Sequence, residues 1–315
     1  MTPLVSILIP TYNRASFLRE AIRSAVAQTH RNLEILVLDD ASPDETAAVA
    51  AGFAQDLRVQ YIRHQENLGI TGNWRAGIQI AQGEYFCFLH DDDTFEPSFI
   101  EKLVAPMQDD LSLILAFSDH WVTDAEGNRL ADASDAASQR FGRTHLQEGR
   151  LLDFASSALV NKSLPVGATL FRKSMVSSKF VAEQAKGAID AWLFYQCVKS
   201  GHTGYYIPER LMNYRTHSGG MSASMPLYMA EGHLFRYKSI LADNDLTRIH
   251  VSIKQQMAET LTAQGVSLLV SGRRKESRKS LGKSLKINPS SRAAIAYGLA
   301  CAGSAGTRIA TALRR

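Results

Sequence analysis

The strongest constraint on the fold is a set of apolar segments that have the length of β-strands. "VSILIP" (5–10), "EILVL" (34–38) and "YFCFL" (85–89) show no alternation of apolar and polar residues, and "VQYIRH" (59–64) is a weaker segment of the same kind. A strand loses that alternation when both of its faces are covered, which is typical of parallel sheets. The sequence therefore predicts a buried parallel sheet.

Helical patterns occupy the intervals between these strands. Phe17, Leu18, Ala21, Ile22, Ala25 and Val26 recur at helical spacing and indicate an amphipathic helix. "SPDE" predicts a second helix that starts with Ser42 as N-cap, Pro43 in the first turn and Glu45 closing a capping box. A third helix is predicted from about Thr71 to Gln82, with Gly83 as its stop. Alternating strands and helices favour an α/β fold with a doubly wound, mainly parallel sheet.

The second half of the chain has a different pattern. Strands are predicted at 113–119, 168–173 and 205–209, a turn at 124–128 and a helix at 189–201, whereas the polar, Ala/Ser-rich segment 129–150 predicts a mobile loop. Beyond residue 225 the pattern is helical. Gly265, Gly272 and Pro289 are spaced as in one helix-turn-helix repeat of the tetratricopeptide type. Because several repeats are normally needed for a stack, we expect a docked helical hairpin.

Charge is distributed unevenly along the chain. Residues 221–315 contain 15 Lys and Arg against 5 Asp and Glu, although the whole chain has a net charge of only +4. A basic helical tail suits a peripheral contact with an anionic membrane or an ordinary solvated helix face, and both interpretations stay open. Nucleic acid is not expected as a partner, because the basic residues lack interleaved aromatics and a recognition motif.

The remaining composition predicts a cytoplasmic protein. The first residues lead directly into an apolar strand without a basic region or cleavage site, so we expect no signal peptide. No segment reaches the roughly 18 uninterrupted apolar residues that a membrane span requires. The 3 cysteines are far apart and odd in number, which indicates reduced core residues.

Polar clusters follow three of the predicted strands. They are "PTYN" (10–13), "DDAS" (39–42) and "HDDD" (90–93). Ligands of open α/β sheets bind outside the carboxyl ends of the strands, so we expect these clusters to meet in one crevice. The turn after the first strand has no glycine, which excludes the common phosphate-binding loops. A nucleotide here would need a cation such as Mg²⁺ or Mn²⁺, held by one or two carboxylates.

Each cluster also has a plainer interpretation. Asp39, Asp40 and Ser42 are suitable helix caps. A solvent-exposed turn would also explain Asp91, Asp92 and Asp93. Tyr12, taken alone, could be an aromatic side chain packed within the protein. Their joint occurrence at strand ends favours a ligand site.

The same segments resemble a known family. "VSILIPTYNRASFLREAIRSAVAQTHRNLEILVLDDASPDET" and "ENLGITGNWRAGIQIAQGEYFCFLHDDDTFEP" are similar to the opening and continuation of family 2 glycosyltransferases with the GT-A fold. The resemblance extends from residue 4 to about 217. It implies a GT-A catalytic domain at 1–220 that binds a nucleotide-sugar, followed by a basic helical extension at 221–315.

The resemblance also implies roles for individual residues. The implied nucleotide-sugar contacts are Pro10, Tyr12, Asp39, Asp40, Asn67, Gly69, Asn73 and Asp91. The tyrosine would stack on the base, and Asp40 would accept the imide N–H of a uracil, which favours a UDP-sugar. The implied metal ligands are Asp92, Asp93 and His217, with Arg215 nearby, and the implied catalytic base is Asp190.

The implied reaction is metal-dependent, inverting transfer of one sugar to an acceptor hydroxyl. The acceptor would be a glycan or a lipid-linked molecule in cell-surface polysaccharide or glycolipid assembly. The motif Q-x-x-R-W of processive members is absent. Two alternatives stay open, namely a non-catalytic sugar-nucleotide or partner-binding module and a sugar-1-phosphate nucleotidyltransferase. The latter normally has a Gly-rich basic loop after the first strand, where "PTYNR" has no glycine.

Overall fold

A computed structural model describes residues 2–217 and 226–312 of the chain. Within these residues nine strands form one sheet with the order β3-β2-β1-β4-β8-β6-β9-β5, and β7 pairs with β9. The strands are β1 (Val5–Thr11), β2 (Leu33–Asp39), β3 (Val59–Arg63), β4 (Tyr85–Phe88), β5 (Thr94–Phe95), β6 (Leu113–Thr123), β7 (Gly149–Arg150), β8 (Thr169–Arg172) and β9 (Thr203–Arg215).

Six α-helices precede residue 200 in the described chain. They are α1 (Ala15–Val26), α2 (Thr46–Ala51), α3 (Gly69–Ile80), α4 (Phe99–Asp109), α5 (Ala131–Arg140) and α6 (Ile189–Lys199). Five more follow residue 225, namely α7 (Pro226–Leu241), α8 (His250–Val270), α9 (Arg274–Ile287), α10 (Ser291–Cys301) and α11 (Gly303–Ala312). None of these helices is long and apolar enough to cross a bilayer.

The N-terminal half of the sheet is parallel. Strands β3, β2, β1 and β4 pair in parallel, and the residues of β1, β2 and β4 are buried almost without exception. Helix α1 buries Leu18, Ala21, Ile22 and Ala25, the apolar face that the sequence indicated. The α/β class with a mainly parallel sheet and a helical C-terminal region is thereby confirmed.

The predicted start of the second helix is wrong. Helix α2 begins at Thr46, and the Ser42 hydroxyl accepts a hydrogen bond from the backbone N–H of Asn13 at 3.0 Å, so Ser42 does not cap α2. Asp44 has the capping role. Its carboxylate accepts from the N–H groups of Thr46 at 3.2 Å and Ala15 at 3.0 Å, and so serves the starts of α2 and α1 together.

The third helix also ends earlier than predicted, at Ile80. Gly83 lies in the following turn, where an added Cβ would be 2.7 Å from the backbone nitrogen of Ser6. The glycine is therefore required by close contact with β1, and not as a helix stop.

Residues 129–150 are not the irregular loop that composition predicted. They contain α5, a short 3-10 helix and β7. The buried residues of α5 are Ser134 and Ser138, and the Ser138 hydroxyl donates to the buried carboxylate of Asp119 at 2.5 Å. Because this helix buries hydroxyl groups, its sequence lacks the apolar periodicity on which the prediction depended.

The described chain divides into two compact units. The first contains the residues up to Glu183 together with Leu193–His217, and the second contains Gln184–Trp192 together with the helices after residue 225. The sequence-based boundary at residue 220 falls within 218–225, outside the described residues.

Helices α8 and α9 of the second unit are held together by serine hydroxyls. Ser277, Ser280 and Ser284 donate to backbone carbonyl groups of α8 at 2.7, 2.9 and 2.8 Å. Gly265 of α8 permits this short separation, because a Cβ at that position would lie 2.5 Å from Cγ of the buried Leu281.

We expect Gly265→Ala to lower the free energy of unfolding of this unit by about 1–3 kcal/mol, because the extra methyl overpacks a filled contact. Gly298→Ala is the matched control. Gly298 also lies in a helix, but a Cβ there has no neighbour within 4 Å, so the change should be neutral or stabilise by up to about 1 kcal/mol. Urea unfolding of the full chain measures both, and equal stabilities for the two variants would contradict the packing assignment.

Candidate active site

The three polar clusters that follow β1, β2 and β4 meet at one edge of the sheet. Thr11 and Asp39 are paired across β1 and β2, and the backbone N–H of Asp40 donates to the Thr11 carbonyl at 3.0 Å. Arg14, just after β1, reaches Asp91 and Asp92 after β4. The convergence expected from the parallel strands is therefore present.

The turns that carry the clusters have an unusual backbone. Asn13 after β1 and Ala41 after β2 have positive φ angles of 55° and 61°. Asparagine tolerates this conformation, but for alanine it costs about 1–2 kcal/mol. Such local strain is often found at binding sites, where the surrounding contacts hold it in place.

Asp39 is fully buried and its carboxylate has three donors. They are the backbone N–H of Ser42 at 2.9 Å, the hydroxyl of Tyr61 at 2.5 Å and the guanidinium of Arg63 at 3.1 Å. The charge is thus compensated within the protein. Asp39 holds the end of β2 against β3.

Asp40 is 3% exposed and organises the loop before α3. Its Oδ1 accepts from the backbone N–H of Leu68 at 2.7 Å, and its carbonyl accepts from Nδ2 of Asn67 at 3.1 Å. The Asn67 amide oxygen in turn accepts from the N–H of Gly69 at 3.0 Å, where φ is 69°. Asn73 donates from Nδ2 to the carbonyl of Leu38 at 2.9 Å.

These contacts bring the predicted residues Asp39, Asp40, Asn67, Gly69 and Asn73 into one network around the end of β2. Pro10 is half-buried at the end of β1. Tyr12 differs from the others because 48% of it is exposed. Its ring is therefore the accessible apolar surface of the cluster.

The acidic triplet is surrounded by basic groups from distant parts of the chain. Oδ2 of Asp92 lies 2.5 Å from Nη1 of Arg14 and 3.0 Å from Nε2 of His217. Asp91 faces the same Arg14 nitrogen at 3.3 Å. His217 therefore lies beside the acidic triplet, and residues 218–224 of the segment that was predicted around it lie outside the described residues.

Asp93 is engaged on both carboxylate oxygens. Oδ1 accepts from the backbone N–H of Arg215 at 2.9 Å, and Oδ2 lies 3.2 Å from Nδ1 of His90. The Arg215 side chain also donates from Nε to the carbonyl of Asp92 at 2.9 Å. These bonds join the end of β4 to the end of β9.

Charge coupling shifts the pKa values of this cluster in different directions. Burial, and then the charge of Asp92, raise the pKa of Asp91 to about 6. Burial acts on Asp92 in the same sense, but His90, His217 and Arg14 together lower its pKa. Burial opposes a charged His90, yet the hydrogen bond with Asp93 and the adjacent carboxylates raise the pKa of His90 to about 9. Burial also raises the pKa of Asp93. The positive charge beside the triplet comes from Arg14 and, when it is protonated, from the imidazole of His90.

The donor set can be compared with the needs of a cation. In the parts of the chain that the structure describes, no three His, Cys, Asp or Glu side chains form a metal cage. Mg²⁺ and Mn²⁺ sites that act on phosphates need only one or two protein ligands, because water and substrate supply the rest. Asp92 and His217 fit that requirement, and Asp92 Oδ2 already attracts the cationic Arg14.

Asp190 lies in the first turn of α6 and is half-buried. Among the described residues its carboxylate has no hydrogen-bond or ion-pair partner, although a helix cap would accept a backbone N–H.

Sequence reasoning did not identify several residues of the site. Arg14, Tyr61 and His64 had no assigned role, yet Arg14 compensates the triplet and Tyr61 donates to Asp39. His64 contacts the amide oxygen of Asn73 through Nε2 at 3.1 Å. The only available indication was that Arg14 is the one basic residue in "PTYNR".

Comparison with solved structures shows the fold. Staphylococcus aureus TarS, residues 1–349, in complex with UDP-GlcNAc, superposes with a TM-score of 0.67 at 16% identity, over 98% of this chain and 89% of TarS. The mannosyltransferase PcManGT from Pyrobaculum calidifontis, in complex with GDP-Man and Mn²⁺, gives a TM-score of 0.60 at 16% identity, over 100% of this chain and 87% of that protein. The chain has the GT-A fold of these proteins.

Sequence relatives carry related names. An uncharacterized glycosyltransferase of Rickettsia prowazekii is 44% identical over 103 residues, which cover 33% of this chain and 31% of that protein. The match thus spans about a third of the length of the rickettsial relative. The putative glycosyltransferase EpsH of Bacillus subtilis is 26% identical over 249 residues, 76% of this chain and 68% of EpsH.

The family is decided by a profile match over residues 6–163, half of the 315-residue chain, which contains the three strand-end clusters. The chain belongs to glycosyl transferase family 2.

Proposed function

We propose that the protein is a metal-dependent, inverting glycosyltransferase that moves one sugar from a nucleoside-diphosphate sugar to an acceptor hydroxyl. The observation that carries this proposal is the contact between Asp92 and His217. It lies at the same edge of the sheet as the hydrogen-bond network of Asp40, in a member of glycosyl transferase family 2. One edge of the sheet would then bind the base, the diphosphate and a cation together.

The donor side is assigned to the network at the end of β2. Tyr12 would stack on the base with its exposed ring, and Oδ2 of Asp40 would accept the uracil imide N–H while Oδ1 keeps its bond to Leu68. A UDP-sugar is favoured for this reason. Asp39, Asn67 and Asn73 would hold the pocket in shape, with Pro10, Gly69 and Asp91 lining it. The relatives in complex with UDP-GlcNAc and GDP-Man support a nucleotide-sugar donor.

The cation is assigned to Asp92 and His217, with Mn²⁺ or Mg²⁺ as the metal. When bound, it would stabilise the negative charge that develops on the leaving diphosphate. Asp93 was also predicted as a ligand. Both of its oxygens contact other groups, whereas among the described residues only Oδ2 of Asp92 does, which leaves Oδ1 of Asp92 for a cation. We therefore assign Asp93 to positioning of the turn that presents Asp92.

Asp190 is the proposed catalytic base. Its carboxylate would remove the proton of the acceptor hydroxyl as that oxygen attacks the anomeric carbon from the face opposite the diphosphate, which inverts the configuration. The C–O bond to the diphosphate breaks as the new glycosidic bond forms. General base catalysis of this kind contributes about 10²- to 10⁴-fold.

The cellular setting is part of the proposal. We propose a cytoplasmic enzyme that meets an anionic membrane face through its basic C-terminal helices and acts on a glycan or lipid-linked acceptor in cell-surface polysaccharide or glycolipid assembly. The excess of 15 Lys and Arg over 5 Asp and Glu in residues 221–315 supports that contact.

Removal of the metal ligand tests the cation assignment. Asp92→Ala should lower transfer by at least about a hundredfold, because a bound Lewis acid supplies several kcal/mol of barrier lowering. Metal-stimulated UDP binding should disappear as well. Asp109→Ala, which removes an exposed carboxylate at the end of α4, should change neither quantity. Full transfer activity of the wild type in EDTA would contradict metal dependence.

Two substitutions of Tyr12 separate stacking from hydrogen bonding. Tyr12→Ala should raise the Kd for UDP about tenfold or more, since stacking on a base is worth about 1–3 kcal/mol, whereas Tyr12→Phe should stay close to wild type. Turnover at saturating donor should change little in either variant, because ground and transition states share the contact. Calorimetric titration with UDP gives the answer, and equal affinities for the Ala and Phe variants would show that Tyr12 does not stack.

Asp190→Asn tests catalysis at the proposed base. The amide keeps the size of the carboxylate but cannot take up the proton, so single-turnover transfer at saturating donor should fall at least about a hundredfold. Donor and metal binding should persist, since the carboxylates after β2 and β4 are unchanged. A variant that melts at a lower temperature yet transfers at the wild-type rate would make Asp190 a structural residue and leave the base unidentified.

A further inference from the structure

The second compact unit contains a groove of about 490 Å³ between α7, α8 and α9. One wall is formed by Leu227, Glu231, Leu234 and Lys238 of α7. These residues are spaced i, i+4, i+7 and i+11, so they form one continuous stripe along the helix. The proposed catalytic chemistry does not involve this groove.

The floor of the groove repeats the same spacing. Met257, Leu261, Gln264 and Leu268 of α8 again follow i, i+4, i+7 and i+11, and three of the four are apolar. Each stripe is therefore about 16 Å long, or three helical turns. A wall and a floor of this length form the kind of channel in which an amphipathic helix lays its apolar face.

The rim of the groove is basic. Lys279, Lys283 and Lys286 of α9 line one side, Lys238 stands on the other, and all four are exposed. Among the described residues none of these lysines has a carboxylate within 4 Å. The rim would therefore favour an occupant that carries negative charge.

The acidic groups of the rim are already compensated. Glu276 forms an ion pair with Arg273 at 2.7 Å, and Glu231 forms one with Lys186. The lining has five basic side chains against these two acidic ones, so the charge around the apolar floor is positive overall.

We propose that this groove binds an acidic amphipathic helix of a partner protein. Apolar side chains at i, i+4, i+7 and i+11 of that helix would lie on the α8 floor, and its carboxylates would pair with the lysines of both walls. A lipid bilayer, proposed above as a contact of the basic tail as a whole, fits this groove less well, because the apolar floor is recessed: Leu261 and Leu268 are buried, whereas the lysines beside them are exposed. A surface as broad as a bilayer would meet the lysines before it reached these leucines.

The test uses the full chain and two synthetic peptides of about sixteen residues, long enough for the three turns of the groove. The first has leucines at i, i+4, i+7 and i+11 with glutamates on the flanks, and the second has the same composition with the leucines spread around the helix. Fluorescence anisotropy measures both affinities. The proposal expects the first peptide to bind at least about tenfold more tightly, as helix-in-groove recognition requires an aligned apolar face.

Substitution of the rim locates the binding. Lys279→Glu, Lys283→Glu and Lys286→Glu combined should weaken binding of the first peptide at least about tenfold, because attraction becomes repulsion. Leu234→Gln, on the opposite wall, should weaken it while retaining the charge of the groove. Circular dichroism and the melting temperature show whether each variant is folded. If the triple variant is unfolded, Leu234→Gln still tests the proposal.

The matched control lies on the same helix. Arg274→Glu, Lys275→Glu and Arg278→Glu combined change the net charge equally, but these residues do not line the groove. The combined substitutions should weaken binding of the first peptide less than about twofold. Equal losses for the two triple variants, equal affinities for the two peptides, or binding to vesicles of equimolar phosphatidylcholine and phosphatidylglycerol without binding to the first peptide would each overturn the proposal.

Discussion

Three adjacent carboxylates at the end of a buried strand require positive charge close by, and the first unit is organised around that requirement. Arg14 from the start of α1 and His217 from beyond β9 both contact Asp92, while Asp93 is bound by the backbone of Arg215. These partners lie far from the triplet in sequence. The same charge compensation therefore joins β1, β4 and β9, and it holds the Asp92 carboxylate where the proposed diphosphate-bound cation would meet it.

The hydrogen-bond network after β2 differs from the acidic triplet in how its carboxylates are used. There the carboxylates are used internally: Asp39 holds β3 through Tyr61, and Asp40 holds the loop before α3. Asp39, with three donors on its carboxylate, and Asp40, whose Oδ1 is bound, make a rigid wall, since removal of one partner would leave a costly unpaired group. The exposed ring of Tyr12 stands beside that wall. A rigid polar edge and an accessible ring are the elements that recognition of a nucleotide base needs.

Much of this arrangement could be predicted from the sequence, for physical reasons that also explain the failures. Strands β1, β2 and β4 are covered on both faces, so their sequences are apolar throughout, and their carboxyl ends meet because they are parallel. Helix α5 was missed because it buries Ser134 and Ser138. The start of α2 was misplaced because Ser42 bonds across the turn to Asn13. Arg14 was missed because its partnership with Asp92 depends on the fold and not on local spacing.

We propose that the protein supplies only part of a cation site, with Asp92 and His217 as ligands, and that the nucleotide completes it. Electron paramagnetic resonance of Mn²⁺ titrated into the protein, with and without UDP, measures this directly. We expect weak binding of Mn²⁺ alone and an affinity at least about tenfold higher once UDP is bound, because substrate phosphates provide the missing ligands. Tight stoichiometric binding without nucleotide, or no bound Mn²⁺ in the presence of UDP, would contradict it.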